Sequence, residues 1–138
     1  MIRVLQLKQL HYNELLKYAD SIMPEECCAL LIGKIEGEVA TVVSPYLTPN
    51  TDKSSGHFTI APDDLLRAYD HAEGMKMEII GVFHSHPYWP ASPSSEDYRY
   101  METNDVPWII FSNSERVAKT YVLEQGSVIQ IPLKLLDQ

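Results

Sequence analysis

Cysteine is scarce in this chain: two in 138 residues, adjacent at Cys27 and Cys28. Neighbouring cysteines rarely bridge and match no metal finger, so a disulfide-stapled scaffold and a structural zinc finger are both excluded, and a reducing cytoplasm is the expected home. Long hydrophobic runs are missing too. No stretch approaches the roughly 18 apolar residues of a membrane span, and the first residues lack a secretory-leader pattern, so a soluble protein without a membrane partner is expected. Basic residues are outnumbered, 11 Lys and Arg against 19 Asp and Glu, for a formal charge of −8. Such a surface repels phosphates, which argues against nucleic acid and tolerates a partner with a basic face. There is no Gly-rich phosphate loop, no His-Glu-x-x-His helix, and no Pro-Cys-x-x-Cys paired with His-x-Glu.

What is present fits one globular domain over 1–138. Hydrophobic residues make up 45% and charged ones 22%, enough to build a core without staples. Leu10, Leu15, Leu16, Ala19 and Ile22 recur at near-helical spacing, predicting an amphipathic helix over 8–21 that Pro24 stops. The apolar run 28–32 reads as a strand, Gly33 to Gly37 as a turn, and 38–44 as its hairpin partner. A polar loop covers 48–57. Pro62 followed by Asp63 and Asp64 starts a second helix, with acids at the positive end of its dipole and Gly74 as its stop. A third helix is expected over 95–104, and strands over 78–83, 108–112, 117–123 and 127–133. The fold class is α/β (α+β): a mixed sheet flanked by helices.

One constellation carries chemistry. His84-Ser85-His86-Pro87 follows the strand 78–83, and residues two apart on a strand project to the same face. Asp97 lies beyond a Pro- and Ser-rich stretch that reads as a loop ending at a helix start, with Ser94 as N-cap and Asp97 at the third helical position. Two imidazoles and a carboxylate form a ligand set for catalytic zinc, which uses three protein ligands and leaves a fourth position open. Each piece also has a plain reading: two polar residues leaving a sheet, and a Ser-x-x-Asp capping box.

The run His84-Ser85-His86-Pro87, then Ser94 and Asp97 three residues on, resembles the signature of the JAMM (MPN+) metalloproteases. Upstream, Pro24-Glu25-Glu26-Cys27-Cys28 through Gly33 is similar to the family's glutamate segment, with Glu26 and Cys28 in matching places. Ala29 replaces the usual Gly, and Glu25 is the fallback for the glutamate. The resemblance spans roughly 1–120 and implies a curved mixed sheet of the MPN/JAB type, related to the cytidine-deaminase-like fold. It implies one zinc held by His84, His86 and Asp97, with Glu26 as general base and Ser94 as donor to the oxyanion. The implied reaction is hydrolysis after the C-terminal Gly-Gly of a ubiquitin-like or sulfur-carrier protein, at a peptide or an isopeptide bond. A metal-free MPN scaffold that only binds protein is the alternative.

Several neighbours keep two readings. Ser94 caps its helix or reorients toward substrate, and Ser95 is an alternative cap. Tyr88 and Trp89 either line a peptide groove or pack their loop onto the domain. His57 either contacts substrate or merely begins a strand, and His11 and His71 read as helix-surface residues. Leu133, Leu135 and Leu136 either cover the core or meet a second subunit.

Overall fold

A computed structural model describes residues 1–137. Its elements run β1 (Val4–Lys8), α1 (Gln9–Ser21), β2 (Cys28–Glu36), β3 (Val39–Thr48), α2 (Pro62–Gly74), β4 (Glu78–His86), α3 (Ser95–Thr103), β5 (Trp108–Ser112), β6 (Val117–Glu124), β7 (Ser127–Ile131) and β8 (Leu133–Leu136). All eight strands share one mixed sheet in the order β7-β6-β5-β4-β2-β3-β1-β8. The α+β class expected from the sequence is the one observed.

The expected strand over 127–133 is divided at Pro132, which has no N–H to give a ladder. Residues up to Ile131 pair antiparallel with β6, while Leu133 onward pairs parallel with β1 at the other end of the strand order. Leu5 N–H donates to Pro132 O at 3.2 Å. A single residue therefore joins the two edges, and the sheet must curl nearly closed. Leu133 packs on the core, and Leu135 stays exposed. β1 itself was not anticipated; its alternation buries Leu5 and Leu7 and leaves Lys8 outside.

The two faces of the sheet bury different sets. One face joins Leu5, Leu7, Ala29, Leu31, Phe83, Ile109 and Phe111 to Leu15 and Ala19 of α1. The other joins Cys28, Leu30, Val82, Trp108 and Ile110 to Ala68 of α2 and Met101 of α3. Each fully buried Leu, Ile or Phe contributes about 1.5–3 kcal/mol before entropy is counted. Leu10, assigned by spacing to the buried stripe of α1, is 65% exposed, because only Leu15 and Ala19 of that helix are fully buried.

The hairpin departs from expectation at Gly33, which lies inside β2 rather than in the turn. Opposite it, β3 carries an extra residue, since Ile32 pairs with Ser44 and Gly33 with Val42. A Cβ on Gly33 would stand 1.9 Å from Thr41 O, so only glycine admits this approach. The turn falls to Gly37, at φ 63.

A second irregularity sets the site. Ile32 pairs with Ile79 but Leu31 with Gly81, so Ile80 is an extra residue in β4. The bulge shifts the side-chain alternation by one. Ile80 and Phe83 then share the α1 face, while Val82 takes the face of α2 and α3. His84 and His86 follow Val82 onto that second face.

Replacing Gly33 by Ala should lower the melting temperature by about 5–10 °C, the range expected of an overpacking strain of 1–3 kcal/mol. Circular dichroism melting checks this, and an unchanged midpoint would mean that β3 yields at no cost.

Candidate metal centre and active-site cleft

β4 extends through His86 rather than stopping at Phe83, so both histidines sit within a ladder. His84 pairs with Cys28 on one side and Ile110 on the other, which leaves it fully buried. Its ring meets Phe58 at 5.1 Å and Trp108 at 5.6 Å between centroids. The chain then turns through Pro87 to Pro93, and Pro90 O lies 2.8 Å from His86 Nδ1. A carbonyl only accepts, so Nδ1 carries the hydrogen and neutral His86 presents a bare Nε2 lone pair.

That lone pair points at Asp97. Asp97 Oδ2 lies 3.0 Å from His86 Nε2, Asp97 Oδ1 lies 3.1 Å from His84 Nε2, and the two Nε2 atoms are 3.1 Å apart. A lone pair facing a carboxylate is repulsive unless a proton or a cation lies between them. Two ligands about 2.0–2.1 Å from a tetrahedral zinc stand roughly 3.3 Å apart, close to the spacing found. His84, His86 and Asp97 are the group among the described residues able to hold a metal ion.

Asp97 is placed by the capping box foreseen at the start of α3. Ser94 Oγ accepts from Asp97 N at 3.0 Å, and Asp97 Oδ2 accepts from Ser94 N at 3.0 Å. The Ser94 hydroxyl thus caps the helix, while the Asp97 carboxylate closes the box and faces both histidines. Burial acts to raise its pKa, but His84 beside it and the bonds from His84, His86 and Ser94 N prevail and hold it well below the usual carboxylate range. Burial lowers His84 despite Asp97. For His86 burial acts in the same sense, yet the bonds to Asp97 and Pro90 O outweigh it and raise the value.

Glu26, not Glu25, reaches the site. It is 3% exposed, and its Oε1 has no hydrogen-bond partner. Burial pushes its carboxyl up to about 8 against the attraction of His86. A cleft of about 290 Å³ is lined by Glu26, Gly56, His86, Trp89, Pro90, Ser92, Pro93 and Ser94. The cap bond of Ser94 uses a lone pair on Oγ, which leaves the hydroxyl hydrogen free to donate.

The family described as prokaryotic homologs of the JAB domain matches residues 8–124. The chain belongs to that family. Among JAB relatives, it is 31% identical to a desampylase from Pyrococcus furiosus over 119 residues, covering 86% of this chain and 81% of the other. It is 26% identical to the Lys-63-specific deubiquitinase BRCC36 of Camponotus floridanus, covering 91% of this chain but only 57% of that longer protein. The solution structure of protein DSY2949 from Desulfitobacterium hafniense superposes with a TM-score of 0.88 at 30% identity, covering 97% and 94% of the two chains. The JAMM resemblance of the sequence motifs is borne out.

Other expectations in this JAB chain fared unevenly. Tyr88 and Trp89 do not pack their loop onto the domain; they are 56% and 59% exposed, and Trp89 forms part of the cleft wall. His57 turns to Ser54 and Asp52 within its own loop, at 3.2 and 3.6 Å. Cys28 Sγ accepts from Thr48 Oγ1 at 3.3 Å. Two residues in the surroundings of the site were passed over. Ser85 Oγ accepts from Cys27 N at 2.8 Å, tying β4 to the segment that carries Glu26. Asn50 is buried against Glu26 O. Its position in a polar loop gave no sign of burial. No helix among the described residues is long and apolar enough to cross a membrane.

Because the folded pKa of Asp97 lies below its unfolded value of about 3.9, the stability from this carboxylate is full above that value and is lost as pH falls beneath it. In metal-free protein, Asp97→Asn should flatten the decline of the urea midpoint between pH 6 and pH 3. Parallel profiles for the two chains would show that the carboxylate gains nothing from its imidazole neighbours.

Proposed function

We propose that this protein is a zinc-dependent isopeptidase that removes ubiquitin-like modifiers, cutting after a C-terminal Gly-Gly. The observation that carries the reading is the buried His84-His86-Asp97 cluster beside a cleft that also holds an unpartnered glutamate and a free serine hydroxyl. The names of the relatives, a desampylase and a Lys-63-specific deubiquitinase, point to ubiquitin-like partners. A cytoplasmic setting agrees with reduced, buried Cys27 and Cys28.

His84 Nε2, His86 Nε2 and Asp97 would hold the ion. When bound, zinc supplies a Lewis acid that makes hydroxide accessible near neutral pH. Asp97 brings the negative charge that two neutral imidazoles lack. Pro90 O keeps the hydrogen on His86 Nδ1 and so leaves Nε2 available.

Glu26 moves the proton. A buried carboxylate with no partner for Oε1, in the same cleft as His86, is placed to take one proton from the attacking water and return it to the leaving amine. Ser94 donates its hydroxyl to the oxyanion from the cleft wall. Trp89 offers a flat apolar face at the mouth, and the cleft beside it suits an extended glycine tail, which has no Cβ to clash.

Glu26→Gln should lower turnover by about 10²–10⁴-fold while zinc stays bound, measured by elemental mass spectrometry alongside cleavage of a ubiquitin-like fusion ending in Gly-Gly. Near-native turnover would remove Glu26 as the base. Ser94→Ala should cost roughly 10²–10³ in kcat; Asp97→Asn should instead lower metal content. A native chain that takes up no zinc would favour the scaffold alternative.

A further inference from the structure

Glu26 precedes β2, and both of its main-chain groups are taken by the loop 49–61. Its N–H donates to Ser54 O at 2.7 Å, and its carbonyl accepts from Asn50 Nδ2 at 3.1 Å. Cys27 N–H goes to Ser85 Oγ, between the two histidines. The backbone of Glu26 is therefore suspended between the loop and β4.

Asn50 is the knot of that loop. It is 5% exposed, and its amide uses its full capacity. Nδ2 donates to Glu26 O and to His57 O, both at 3.1 Å, while Oδ1 accepts from Asp52 N at 3.0 Å and from Thr59 N at 3.1 Å. The loop so closed brings Gly56 to the cleft wall opposite Ser94 and Trp89.

We infer that Asn50 is a positioning residue for the reaction: it sets Glu26 through the main chain and holds the loop that walls the cleft. The inference rests on Glu26 being the base. Its physical content is specific, since no side-chain bond fixes Glu26 Oε1, and the location of this carboxylate follows from where its backbone is tied. A displacement of about 1 Å at a catalytic group costs on the order of 10² in rate.

Asn50→Asp isolates the effect, because it keeps the size and both acceptor roles but turns the two donor bonds into contacts between oxygens. The native chain, Asn50→Asp and Glu26→Gln are compared by zinc content, by steady-state cleavage of one Gly-Gly fusion, and by amide hydrogen exchange. Asn50→Asp should retain zinc and lower kcat by about 10–100-fold with KM within about threefold. Exchange at the Glu26 amide should quicken at least about tenfold, while Ile109 and Ile110 in β5 stay protected. Native protection at Glu26, or native kcat with a loosened loop, would overturn the inference. Should Asn50→Asp fail to fold, Asn50→Ser, which brings no charge into the buried site, is read by the same measurements. If Glu26→Gln itself keeps turnover, the base assignment fails on its own, and the exchange result alone decides whether Asn50 holds Glu26.

Discussion

The Asp97 carboxylate is the point at which helix, loop and sheet meet. It accepts from Ser94 N at the head of α3 and faces Nε2 of both histidines at the end of β4. A buried anion is costly unless paired and hydrogen-bonded, so the position of α3 relative to β4 is not free. The 87–94 connection must bring the helix terminus over the strand end, and the bond from His86 Nδ1 to Pro90 O pins it midway. Removing the carboxylate would strip the partner from Ser94 N and the counter-charge from the histidines together.

The sheet makes that meeting possible by two departures from regularity. The extra residue at Ile80 rotates His84 and His86 to the face shared with α3; without it, Phe83 and Ser85 would point there instead. The break at Pro132 sends the last strand to β1, so that the sheet curls and encloses α1 on its other face. One face of the curl thus carries stability and the other carries the chemistry, and β4 belongs to both.

Much of this was legible in the chain. Pro62 with its two acids, Gly74 and the Ser94-x-x-Asp97 box marked their helices within a residue or two, while apolar runs located β2, β3 and β4 but stopped three or four residues short of their ends. The metal cluster was legible because its spacing is local: two residues on a strand, then a loop to a helix cap. Gly33 was misread because a mid-strand glycine and a turn glycine look alike until the opposing carbonyl is in place. The split at Pro132 was missed because 127–133 reads as one largely apolar run, and only the distant β1 reveals that its second half has another partner. Asn50 was given no role because its bonds run to main-chain groups, and main-chain partners leave no pattern in a sequence.

Charge gives the site its remaining logic. Without an ion, Asp97 is the anion of the cluster, while burial favours the neutral form of Glu26 and His84. A divalent cation changes both terms at once. Held by His84, His86 and Asp97, it would take the place of the proton otherwise needed between His86 Nε2 and Asp97, and its charge would favour the ionised form of Glu26. Two carboxylates would then balance the two positive charges of the ion. The two acids are also held differently. Asp97 is held by side-chain bonds, whereas Glu26 is held through its backbone, with no bond to Oε1.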